Sequence, residues 1–135
     1  MKKPAAAKRK TQSSQEIDDL FVELKKEYLA TFQEKQELIK IAWAEHDRDK
    51  LENEFHKMKG TGRTYGLPEI SVLGGMMELL CKENHPKLGL CVFMTLEILP
   101  KIVDHHNHIQ EYKISDDFFY KRIKELYCEL TPIAS

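Results

Sequence analysis

Residues 55–66 read Phe-His-Lys-Met-Lys-Gly-Thr-Gly-Arg-Thr-Tyr-Gly. On a helix, positions three and four apart share a face, which aligns His56, Lys59, Gly60 and Arg63. Phe55, Met58 and Gly62 point into the core beside them, so His56 is expected next to the buried stripe and facing solvent. An imidazole is a nitrogen nucleophile when neutral, and an ordinary one is mostly neutral near pH 7. Its attack on phosphorus yields a phosphoramidate with negative oxygens. Lys59, one turn on, offers those oxygens a charge and donors. Arg63, two turns on, is expected to reach an edge of the same site with its longer fork. Gly60 weakens the helix, but it removes a side chain where another macromolecule must come close.

Other candidate constellations are weaker. The glycines from Gly60 to Gly66 superficially resemble a nucleotide loop, but they follow a helix instead of a strand. No GxxxxGK occurs, so an ATP-dependent kinase is not expected. Asp104-His105-His106-Asn107-His108, with His85 or a cysteine, has ligand types for a transition metal. His105 and His108 share a face only if the helix continues there, and no fourth ligand has a fixed spacing, so a polar helix end is preferred and no metal is assigned. Cys81, Cys91 and Cys128 have no CxxC spacing and read as small apolar residues in a reducing compartment.

The elements that must hold His56 are helical. Apolar residues recur at steps of three and four, and no run alternates with the strand period. Ile17, Leu20, Phe21, Leu24, Tyr28 and Phe32 form a first stripe, which Leu38, Ile41 and Ala42 resume. Between them the polar run 33–37 places Lys35 on a core position, so the segment either breaks there or leaves one half overhanging the bundle. A second helix is predicted from near Asp47, a plausible cap, to about Thr64, with Leu51, Phe55, Met58, Gly62 and Tyr65 inward. Gly66 suits its end and Pro68 the first turn of a third helix, from about Leu67 to Asn84. That helix carries Gly74 and Gly75, read as a close helix–helix approach. A fourth starts near Pro86 with Leu90, Phe93, Met94 and Ile98, and Pro100 is expected to kink or end it. Ser115, followed by Asp116 and Asp117, is expected to open the last helix, with Phe118, Phe119, Ile123, Leu126 and Leu130 inward. Short connections favour an all-α, up-and-down antiparallel four-helix bundle with an additional N-terminal helical segment.

Composition sets the bounds. Of the 21 Lys and Arg residues, five lie in residues 1–14, which hold no acid; the rest of the chain has 22 Asp and Glu. Residues 1–14 read as a disordered basic tail and 15–135 as one domain. The acidic body argues against nucleic acid as a partner. No membrane-length apolar run and no secretion signal occur, so the cytoplasm is expected, and the lack of a long heptad seam favours a monomer.

The segment resembles the signature of the histidine-containing phosphotransfer (HPt) family: His, any two residues, Lys, Gly, and a second Gly six residues later. Here these are His56, Lys59, Gly60 and Gly66. Given a histidine, that pattern arises by chance on the order of once in a few thousand. The resemblance implies a bundle of four main helices with the histidine exposed midway along one of them. It implies His56 as phosphoacceptor, Lys59 as phosphate partner, Gly60 as access position and Gly66 as a structural glycine. Its partners would be response-regulator receiver domains, a sensor histidine kinase, or both. Mg²⁺ would come with the receiver, and the chain itself would need no cofactor. The alternative is a docking bundle that binds receivers or kinases without accepting phosphate.

Overall fold

The computed structural model describes residues 12–130. They form six helices: α1 (Gln12–Ala30), α2 (Phe32–Ala44), α3 (Arg48–Thr61), α4 (Pro68–Lys82), α5 (Leu88–His106) and α6 (Phe118–Leu130). Among the described residues there is no strand. Residues 1–11 of the basic tail lie outside this range, while Gln12, Ser13 and Ser14 form the first turn of α1.

Helices α2 to α5 make the antiparallel four-helix bundle. The pairing is visible along the seam between α3 and α4, where Gly62 meets Ser71, Lys59 meets Gly74, and Glu52 pairs with Lys82. The core between the four holds Phe32, Ile39, Leu51, Phe55, Leu73 and Ile98, all essentially inaccessible. Helix α6 closes the side formed by α4 and α5, burying Ile123 and Leu126. Among the described residues, no helix is long and apolar enough to cross a membrane.

The first helical segment breaks at Thr31, ahead of the polar run. The Thr31 hydroxyl donates to the Tyr28 carbonyl at 2.7 Å, and the Thr31 N–H donates to the same oxygen at 3.0 Å, which interrupts the regular ladder. Lys35 does occupy a half-buried position and is accommodated by lying 5.1 Å from the centre of the Tyr28 ring. Burial holds its ammonium below the ordinary lysine value. The overhang exists as well: Ile17, Leu20, Phe21 and Val22 of α1 are exposed, and only Tyr28 and Leu29 of that helix are buried.

Several expected boundaries and faces are corrected. Helix α3 ends at Thr61, followed by a single 3₁₀ turn, Arg63–Tyr65, because the Arg63 N–H turns to Ser71 Oγ at 2.8 Å. Gly66, with φ +80°, then reverses the chain in the left-handed region that favours glycine. Pro100 does not end α5, which runs on to His106, and the proline lies on the exposed face. Leu90 and Phe93 face outward; Cys91, Met94, Thr95 and Ile98 face inward. The last helix is capped by Asp117, not Ser115: its carboxylate accepts from the Phe119 N–H at 2.7 Å. Phe118 lies outside the core, and so do Leu38 and Ile41; Ala42 of the same expected stripe is buried, together with Ile39.

Candidate functional site

Helix α3 starts where its cap dictates. The Asp47 side chain accepts from the Lys50 N–H at 3.0 Å, and Leu51, Phe55 and Met58 then anchor the inner face. Register does the rest: one residue past Phe55, the His56 side chain is 64% exposed. The sequence predicts this location, and the helix supplies it.

The ring is held by a residue that sequence reading missed. Glu78, on α4, lies 22 positions on, and its carboxylate Oε2 is 2.8 Å from His56 Nδ1. A carboxylate only accepts, so Nδ1 carries the proton and donates. The lone pair is then left on Nε2, at the other edge of the ring, away from α4. Only 8% of the Glu78 side chain is exposed, so the acceptor is rigid while the nucleophile is accessible. Lys59 Nζ stands 3.5 Å from Glu78 Oε1, and Lys82 Nζ 3.8 Å from Oε2. Burial alone would raise the Glu78 carboxyl above its ordinary value. The hydrogen bond and charge of His56, with Lys59 and Lys82, outweigh it and hold the group below that value. Glu78 is therefore ionised at neutral pH. Only its place on the inner side of α4, among apolar residues at helical spacing, could have singled it out in the sequence. A buried acid there needs a partner from the facing helix.

The glycines near His56 differ in what they do. A Cβ on Gly74 would stand 2.5 Å from the Lys59 backbone nitrogen, and one on Gly62 the same distance from that of Ser71. Those two glycines let α3 and α4 approach backbone to backbone. The expected close approach at Gly74 is thus met, whereas Gly75 faces only the Lys59 side chain. A Cβ on Gly60 would meet nothing within 4 Å. No packing inside the chain asks for a glycine at that position, yet it stands one turn from His56 on the open face.

Arg63 and Gly66 stand apart from this cluster. The helical spacing that aligned Arg63 with His56 does not extend past Thr61, and Arg63 lines a groove formed with α1 and the end of α5. Gly66 shapes the turn into α4, against the Lys25 side chain. Among the described residues no three His, Cys, Asp or Glu side chains converge as a metal set. His105 and His106 form the last turn of α5, where His105 Nδ1 accepts the Tyr112 N–H at 3.2 Å and His106 stands 3.9 Å from Glu69. Cys81 and Cys91 are buried, and burial pushes their thiols up to about 12 and about 11. Tyr28 and Tyr65 stack at 4.6 Å against the core, while Trp43 leans on Gly89 at the surface.

An exposed histidine, oriented through Nδ1 on a two-helix seam and flanked by lysines and an open glycine, can accept a group brought by another protein. The model of the Hpt domain family matches residues 23–101, from within α1 through Lys101 of α5. Comparison with curated proteins and with solved structures gave no match. Hpt domains are the histidine phosphotransfer modules of phosphorelays. With more than half of its 135 residues inside that match, the chain belongs to the Hpt domain family.

Proposed function

We propose that His56 is the phosphoacceptor and that the chain carries a phosphoryl group between receiver-domain aspartates, or takes it from a sensor histidine kinase. The observation that carries this reading is the 2.8 Å contact between His56 Nδ1 and buried Glu78, which leaves Nε2 as the accessible nucleophile. In the reaction, the Nε2 lone pair attacks the phosphorus of the receiver's aspartyl phosphate in line. The Nε2–P bond forms, the P–O bond to the aspartate breaks, and the carboxylate leaves with the bonding pair. The ring keeps its proton on Nδ1 and becomes positive, and the ionised Glu78 stabilises that charge.

Lys59 is paired with Glu78 at rest, but its side chain is more than half exposed. It turns to the phosphoryl oxygens once a partner docks. Gly60 leaves the approach open. Mg²⁺ and a further lysine come with the receiver, so this chain is a carrier without a cofactor and not a kinase. It acts as a cytoplasmic monomer whose partners are receivers and kinases, not nucleic acid or membrane.

The test is transfer from several radiolabelled, phosphorylated receivers to the full chain, beside His56→Gln. Label that is acid-labile, alkali-stable and absent from the variant supports the carrier. Label retained by the variant sinks the assignment to His56. No transfer from any receiver or kinase leaves the docking bundle.

A further inference from the structure

A second surface lies past the C-terminal end of α3. The overhanging α1, the 63–66 turn and the segment 105–111 after α5 enclose an open groove of ≈ 1340 Å³. Its apolar lining comes from Phe21, Val22, Leu29, Tyr65 and Ile109. Phe21 is 58% exposed and Ile109 69%. Ile17, four residues before Phe21 on the same face of α1, extends this lining and is also exposed. Apolar area gathered this way on a charged protein marks an interaction site more often than an accident of composition.

The charge around the groove is one-sided. Lys25, Lys26 and Arg63 line it together with His105, His106 and His108, and Glu111 is the one acid in the lining. The body that carries this groove is net acidic, so Lys25, Lys26 and Arg63 are concentrated against the trend of the molecule. They are also crowded. Lys25 lies across the turn at Gly66, and burial, followed by the charge of Lys25, holds the His106 imidazole below its ordinary value. Glu69, 3.9 Å from His106, is its acidic neighbour from α4.

We propose that this groove binds an amphipathic helical segment of a partner protein, apolar on the face that enters and acidic on its flanks. The volume of ≈ 1340 Å³ exceeds the roughly 300–1000 Å³ of small-molecule sites, which suits a helical segment better than a small ligand. The apolar floor seats the inner face, and Lys25, Lys26 and Arg63 meet the acidic flanks. This goes beyond phosphotransfer, since no part of the groove uses His56.

The experiment measures binding of fluorescein-labelled peptides of about 18 residues to the full chain by anisotropy, with helix length and apolar stripe held constant. One series has Glu on the flanks, the other Lys. Saturable binding of the Glu series, weakened by salt and unchanged in His56→Gln, is the expected result. Lys25→Glu, at a surface position, should weaken it about fivefold, and Phe21→Ser should weaken it without changing the salt dependence. Circular dichroism confirms that both variants are folded. The proposal is overturned if the Glu series does not bind, if both series bind equally, if Lys25→Glu leaves binding unchanged, or if only anionic phosphatidylglycerol vesicles bind.

Discussion

Removing the Glu78 carboxylate separates the orientation of His56 from its mere presence. A hydrogen bond to a charged group contributes about 1.5–3 kcal/mol. The lower part of that range applies here, because the His56 ring is 64% exposed and water competes for Nδ1. In the transfer reaction the bond strengthens as the ring becomes positive, so its loss falls on the rate and not on docking. Taking about 1.5–2 kcal/mol, Glu78→Ala should slow single-turnover transfer from a phosphorylated receiver about 10- to 30-fold. Glu78→Gln keeps a neutral acceptor and should lose less, about three- to fivefold. Stability should fall only modestly, by the contribution of the ionised carboxylate that acid also removes, because the freed Lys59 and Lys82 are more than half exposed and can hydrate. The assay reads the transfer rate and the receiver Kd separately, with Tm as the control for folding. A folded Glu78→Ala protein that transfers within about twofold of the wild-type rate would refute the reasoning, because then neither the tautomer nor the compensating charge matters.

The other expectations concern glycines and acid. Gly60→Ala should raise stability by up to about 1 kcal/mol, since the new methyl meets open space; Gly60→Gln should keep helicity but weaken receiver binding, and unchanged affinity would remove the access role. Gly74→Ala should lower stability by about 1–3 kcal/mol, read by urea melts, because its Cβ would stand 2.5 Å from the Lys59 backbone nitrogen; a neutral result would mean the seam is loose. In acid, Glu78 and Asp117 should both withdraw stability. Burial opposes their ionisation, but the His56 bond for Glu78, and the Tyr112 and Phe119 bonds for Asp117, hold both folded values below the ordinary ones. Their contribution is therefore complete above about pH 5, clear of the unfolded carboxyl values, and is lost as pH falls through the lowered folded values. Tm measured from pH 7 down to about pH 2 should fall in that window, and less steeply for Glu78→Gln with Asp117→Asn; identical slopes would exclude both groups.

The motif segment was legible because its information is local. Spacing along one helix placed His56 at the edge of the buried stripe, and cap chemistry placed Asp47 and Pro68 at the starts of α3 and α4. Glu78 was not legible, because its partner lies across a helix pair and only the bundle's register brings the two together. The setting of Arg63 was not legible for the opposite reason: the helical spacing was extended past Thr61, where the helix ends and the Ser71 hydroxyl takes the Arg63 N–H. Of the kink or end expected at Pro100, the end does not occur: the helix continues to His106 with the ring on its exposed face. The apolar stripe of α1 was read correctly as helical, but periodicity says which residues share a face and not whether anything covers it.

The two kinds of glycine near His56 bear on how such a site can be both rigid and open. At Gly62 and Gly74 the missing side chains bring the α3 and α4 backbones together. That close seam fixes the distance from Glu78 to Nδ1, because both groups stand on well-anchored helices whose inner faces are buried. A shift of even 1 Å along the seam would carry the 2.8 Å bond out of range. At Gly60 the missing side chain faces outward and contributes nothing to that rigidity. The chain thus accepts glycine at two positions that tighten the support of the ring and at one, Gly60, where a side chain would meet only open space. A bundle selected only for stability would retain the first two and fill the third.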